Sequence, residues 1–83
     1  MGNRKRLYNY VYELLRHENI NNLKEHNETT IAIDILGLGY FENVRNLFKN
    51  CGYNISSMSD SKRWNILLET IKKVVNNNEK ENN

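Results

Sequence analysis

The chain has 83 residues, a formal net charge of +2 and 39% apolar residues. That limits it to one domain, with a core only just large enough to hold a fold. No apolar run is long enough to cross a membrane, and the amino terminus lacks the charged-then-apolar pattern of a secretory leader, so a cytoplasmic location is expected. A charge of +2 is too small to imply a polyanionic partner by itself.

Residues 1–3 are expected to be flexible. A first helix is predicted from about Arg4 to Glu18, with Leu7, Val11, Leu14 and Leu15 as its stripe and Tyr8 and Tyr12 widening it. Tyr10 points away from that stripe. Asn19 to Asn27 is polar and reads as a connector, with Ile20 and Leu23 as its apolar anchors.

The next stretch, Glu28 to Leu38, reads two ways. Ile31, Ile33 and Ile35 alternate with Ala32, Asp34 and Leu36, as in a short strand. As a helix it has Thr29 or Thr30 for a cap and Ile31, Ile35 and Leu38 on one face. The helix is preferred, because no second strand is available and a lone strand leaves its backbone unpaired. Asp34 is either a partly buried acid or part of the polar face, and the second reading is the simpler.

Gly37-Leu38-Gly39 is a turn. A helix from Tyr40 to Cys51 follows, burying Tyr40 or Phe41 with Val44, Leu47 and Phe48. Gly52 stands where a left-handed helix cap belongs, and Tyr53 can close back over the last turn. Cys51, the lone cysteine, permits no internal disulfide and reads as a small apolar filler.

The clearest pattern lies between Ser59 and Val75. Trp64, Leu67, Leu68, Ile71, Val74 and Val75 form one helical stripe, and Lys62, Arg63, Asn65, Glu69, Lys72 and Lys73 fill the opposite face. Ser59 suits the N-cap, Asp60 suits the positive end of the helix dipole, and Lys72 and Lys73 suit its negative end. The other elements are expected to pack on this helix. Residues 76–83 are low in apolar content and are expected to form a disordered tail. The fold class is therefore all-α: a small bundle of three to four helices spanning residues 4–75.

Thr30 to Gly52 reads as helix, glycine turn, helix. Ile31-Ala32, Leu36-Gly37-Leu38 and Val44 resemble the helix-turn-helix of transcription regulators, although Ala32 to Gly37 and Gly37 to Val44 are each one residue longer than in that motif. Leu36-Gly37-Leu38-Gly39 resembles the turn of a helix-hairpin-helix, where Asn43 replaces a small apolar residue. Both resemblances imply DNA binding, with the glycine turn offering backbone N–H groups to a phosphate. In a groove, Tyr40, Asn43, Arg45, Asn46 and Lys49 would face bases. Arg4, Lys5, Arg6, Lys62 and Arg63 would contact the phosphate backbone.

The alternative is a protein-interaction module, such as an adaptor or a phage- or mobile-element-encoded inhibitor of a host or rival enzyme. Five tyrosines, two phenylalanines and one tryptophan exceed what so small a core needs, and Tyr8, Tyr10, Tyr40 and Tyr53 are the candidate interface residues. A homodimer is a variant of this reading. No enzyme, metal or cofactor is expected: His17, His26 and Cys51 lack ligand spacing, and the glycine turn lacks the third glycine and lysine of a phosphate loop.

Overall fold

The computed structural model describes the backbone of residues 2–16 and 27–81 and the side chains of residues 2–16 and 27–77. Among these residues there are four α-helices and no strand: α1 (Asn3–Leu15), α2 (Glu28–Leu36), α3 (Tyr40–Asn50) and α4 (Asp60–Glu81). A short 3-10 turn, Ile55–Ser57, joins α3 to α4. The expected end of the first helix at Glu18, the connector anchors Ile20 and Leu23, and both histidines lie outside the described residues.

Each helix follows from its local chemistry. On α1, Leu7, Val11 and Leu15 recur every four residues and are fully buried. The α2 segment is a helix and not a strand. Its cap is Asn27 rather than Thr29 or Thr30: Asn27 Oδ1 accepts from the Thr30 backbone N–H at 2.8 Å, satisfying one of the open amides of a helix start. Ile31 and Ala32 are buried, and Asp34 is exposed on the polar face. On α3, Val44, Leu47 and Phe48 are buried.

The helix ends also have local causes. Gly52, at φ +92°, ends α3. The Tyr53 N–H donates to the Phe48 carbonyl at 3.0 Å, and the two rings stand 4.8 Å apart, the closure expected after a left-handed cap. Ser59 caps α4, its Oγ accepting from the Lys62 N–H at 3.1 Å.

Helix α4 packs against the other three helices, as a single long apolar stripe requires. Leu67, Ile71 and Val74 on it are fully buried, and Ile66 and Thr70 are buried with them. At about 1.5–3 kcal/mol per fully buried large apolar side chain, these contacts dominate the stability. Helix α4 also runs on to Glu81, where a disordered tail is expected from Asn76. No glycine or proline interrupts it, and Asn77 Nδ2 donates to the Tyr8 hydroxyl at 2.6 Å. Lys72 and Lys73 therefore sit in mid-helix and do not answer its negative end.

Candidate functional site

The turn between α2 and α3 forms a corner. Gly37 and Gly39 both adopt positive φ, +72° and +75°, a region that side chains with a Cβ rarely enter. Two such glycines around one residue force Leu38 outward, and it is 100% exposed. Leu38 therefore belongs to no helix face, in contrast to the expectation from its spacing with Ile31 and Ile35. Asn43, one turn into α3, fixes the corner: its Nδ2 donates to the Leu36 carbonyl at 2.7 Å and reaches the Leu38 carbonyl at 3.5 Å.

Beside this turn lies an apolar surface. Ile33 on α2 is 41% exposed and Phe41 on α3 is 60% exposed. Phe41 was expected as a core alternative to Tyr40, but it faces solvent. Tyr40 is half-buried, with its ring 4.6 Å from Phe41 and 5.6 Å from Trp64. Trp64 is also half-buried, so it marks the edge of the core and not its centre. Thr29, Ile33, Tyr40, Phe41, Ser61 and Trp64, with Asp60, line an open groove of about 300 Å³.

The candidate nucleic-acid residues are dispersed. Arg63 is 3% exposed and faces inward. Its Nη1 donates to the carbonyls of Ile55 and Met58 at 3.0 and 2.7 Å, and its Nη2 meets Asp60. It ties the 3-10 turn to α4 and cannot reach a phosphate. Asn43 is occupied with the turn and presents no free amide to a base. Arg45 lies 3.8 Å from Asp60, and Arg4 lies 3.4 Å from Glu69. Lys5, Arg6, Asn46, Lys49 and Lys62 are exposed.

Two exposed cations lie at the end of α3 far from the glycine turn. Asn3 Nδ2 donates to the Gly52 carbonyl at 3.3 Å, so the start of α1 meets the end of α3. A Cβ at Gly52 would stand 3.1 Å from Arg6 Nη1. Arg6 and Lys49 thus share the helix end where cations are favoured by the dipole.

The tyrosine set also divides. Tyr10 is 45% exposed. It lines a second groove, of about 240 Å³, with Leu14, Ile35, Leu36, Leu47 and Asn46. The Tyr8 hydroxyl is held by Asn77. Tyr53 packs inward, with its hydroxyl buried and unpaired among the described residues. Of the four, only Tyr40 joins the corner; Ile33, Leu38, Phe41 and Trp64 complete it. The available signal was Leu38 flanked by glycines, an apolar residue that neither adjoining helix can absorb.

No group of three acids, histidines or cysteines suited to a metal occurs among the described residues. No helix among them is long and apolar enough to cross a membrane. Comparison with protein-family models, with curated proteins and with solved structures finds no match.

Proposed function

We propose that the chain is a small non-enzymatic protein-interaction module that docks through the α2–α3 corner. The observation that carries this reading is the exposure of Ile33, Leu38 and Phe41 beside the half-buried rings of Tyr40 and Trp64. Apolar side chains exposed together on the surface of a monomer often mark an interaction site. Burial of aromatic anchors in a fixed site is the usual source of binding energy between proteins. A regulator or inhibitor that covers a surface on another protein needs no more than this.

The test is retention of a partner from the source-cell lysate by immobilised wild-type chain and by the variant Ile33→Ser/Phe41→Ser. The variant is expected to lose a partner that the wild type keeps, with little change in its thermal melt, because both side chains are largely outside the core. Equal retention by both chains refutes the reading.

A nucleic-acid reading rests on a different observation, the placement of Arg6 beside Gly52 and of Lys49 in the last turn of α3, with Lys5 next to Arg6 in sequence. Counterion release makes such binding strongly salt-dependent. Amide NMR titration with a mixed-sequence DNA duplex, first at low salt and then at physiological salt, should then shift residues 4–6 and 49–52. No shift at low salt removes this reading.

A further inference from the structure

We propose that the chain carries a second binding surface, separate from the corner and from the end of α3. It is the seam between α1 and α4, and it takes the phosphate backbone of duplex nucleic acid without reading its sequence. Two cross-links define the seam. Arg4 Nη1 lies 3.4 Å from Glu69 Oε2, and Asn77 Nδ2 donates to the Tyr8 hydroxyl at 2.6 Å. Lys73 falls four residues after Glu69 and four before Asn77, so it shares the α4 face that meets α1. Lys72 comes three residues after Glu69, and Lys5 comes three before Tyr8. Lys5, Lys72 and Lys73 are exposed, and none of them joins an ion pair among the described residues. This face thus holds four cations and one acid, in a chain whose whole net charge is +2. The remainder of the chain is net acidic.

The charges are segregated. The exposed acids Asp34, Glu42 and Asp60 lie on α2, on α3 and in the first turn of α4. Lys72 stands twelve residues beyond Asp60 on the same helix, about 18 Å at roughly 1.5 Å per residue. Physiological salt screens charge over about 8 Å, so those acids do not cancel the seam. The Arg4–Glu69 pair is more than half exposed on both sides. Such a pair holds its partners weakly, and Arg4 is free to turn to a phosphate.

The chemistry of the seam selects the partner. Its donors are ammonium, guanidinium, phenol and carboxamide groups, the kinds that contact phosphate oxygens in protein–DNA complexes. The exposed large apolar side chains Tyr10, Ile33, Leu38 and Phe41 lie elsewhere. The seam therefore lacks the apolar anchors from which protein partners draw their binding energy. Charge density points the same way. From Glu69 to Asn77 the seam spans about 12 Å of helix. Over that length a duplex presents about seven charges, at roughly one per 1.7 Å. An extended acidic peptide presents about four, at roughly 3.3 Å per residue, and alternate ones face away. The duplex gives every cation of the seam a partner.

Amide NMR titration of the full chain with a mixed-sequence DNA duplex, at salt from about 50 to about 200 mM, tests the proposal. Residues 4–8 and 69–77 are expected to shift. The logarithm of the affinity should fall against that of the salt concentration with a slope of about −3.6, at roughly 0.9 for each of four phosphates. Lys72→Ala/Lys73→Ala should reduce that slope by about 2 and weaken binding to every sequence alike. Both lysines are exposed in mid-helix, where alanine is the better helix former, so the variant keeps its fold. The control Arg6→Ala/Lys49→Ala should retain the wild-type slope. Shifts confined to residues 49–52 support the reading at the end of α3 and overturn this one. No shift at the lowest salt, an unchanged slope in Lys72→Ala/Lys73→Ala, or binding of polyglutamate as tight as that of the duplex also overturns it. The corner is tested apart from all of these, by Ile33→Ser/Phe41→Ser.

Discussion

Arg63 gives the sharpest test of the architecture, because its sequence neighbour Lys62 serves as the control. The substitution is Arg63→Ala. It removes a guanidinium that donates to the Ile55 and Met58 carbonyls and meets Asp60. Hydrogen bonds from a charged donor contribute about 1.5–3 kcal/mol each. Asp60 is well exposed, so its share is under about 1 kcal/mol. Water entering the vacated space re-solvates the carbonyls and returns part of the loss. The expected destabilisation is about 3 kcal/mol, a large fraction of the roughly 5–15 kcal/mol that holds a domain folded. For a chain of this size, about 4–8 °C per kcal/mol gives a fall in Tm of about 12–24 °C. Lys62→Ala, exposed in the same turn of α4, should stay within about 0.5 kcal/mol of wild type. Thermal melts followed by circular dichroism measure both. If Arg63→Ala melts within about 3 °C of the wild type, a shift equivalent to well under 1 kcal/mol, Arg63 does not hold the 3-10 turn to α4 and the inward placement is wrong.

The other expectations concern the turn and the alkaline range. Asn43→Ala leaves the part-buried Leu36 carbonyl without its donor and should cost about 1–2 kcal/mol; a lower urea midpoint at unchanged slope is the expected reading. Tyr53→Phe removes a buried hydroxyl that has no partner among the described residues, so it should be neutral or stabilising by up to about 1 kcal/mol; a clear loss on urea melting refutes that. Burial pushes the Cys51 thiol above its ordinary 9.0, against a smaller opposing pull from Arg6. Burial likewise raises the Tyr53 phenol above 10.0, opposed by Arg4 and reinforced slightly by Cys51. The folded chain therefore keeps these protons to higher pH than the unfolded chain. Their contribution is fully present below those ordinary values and is lost as pH rises past them. Melts at about pH 8 and above 10 should show the fall, and Cys51→Ala/Tyr53→Phe should reduce it.

Most of the fold was legible because the apolar spacing was regular. Leu7, Val11 and Leu15 on α1, and Leu67, Ile71 and Val74 on α4, repeat at helical intervals and are all fully buried. Gly52 and Ser59 mark helix ends by mechanisms that act within one turn, so they read directly. What was not legible depends on partners outside the helix concerned. Charge places Arg63 on the polar face, although it lies four residues before Leu67 and so on the face that Leu67, Ile71 and Val74 bury. The Ile55 and Met58 carbonyls give the guanidinium its partners there. The continuation of α4 beyond Val75 is similar: composition argues for a loose tail, whereas Asn77 meets Tyr8 on a helix 69 positions away in sequence.

The site followed a different logic. The glycine turn is visible in the sequence, but the polar residues that sequence reasoning assigns to it are ones suited to hydrogen bonding with bases. Polar side chains near a turn are as often needed by the turn itself, and Asn43 is spent in that way. The apolar residues carry the opposite lesson. Spacing with Val44, Leu47 and Phe48 makes Tyr40 or Phe41 the core candidate, yet the buried residues of α3 are Val44, Leu47 and Phe48 alone. Phe41 then has no interior left to enter. In a chain with a core this small, a surplus of aromatic residues has to surface somewhere. Part of it, Phe41 beside the half-buried Tyr40 and Trp64, surfaces next to a turn whose backbone is fixed by two glycines and an asparagine, so these rings and Leu38 stand in a preorganised arrangement. A mobile apolar patch would mainly promote aggregation. A rigid one, with a groove of its own, is a surface that another folded chain can match.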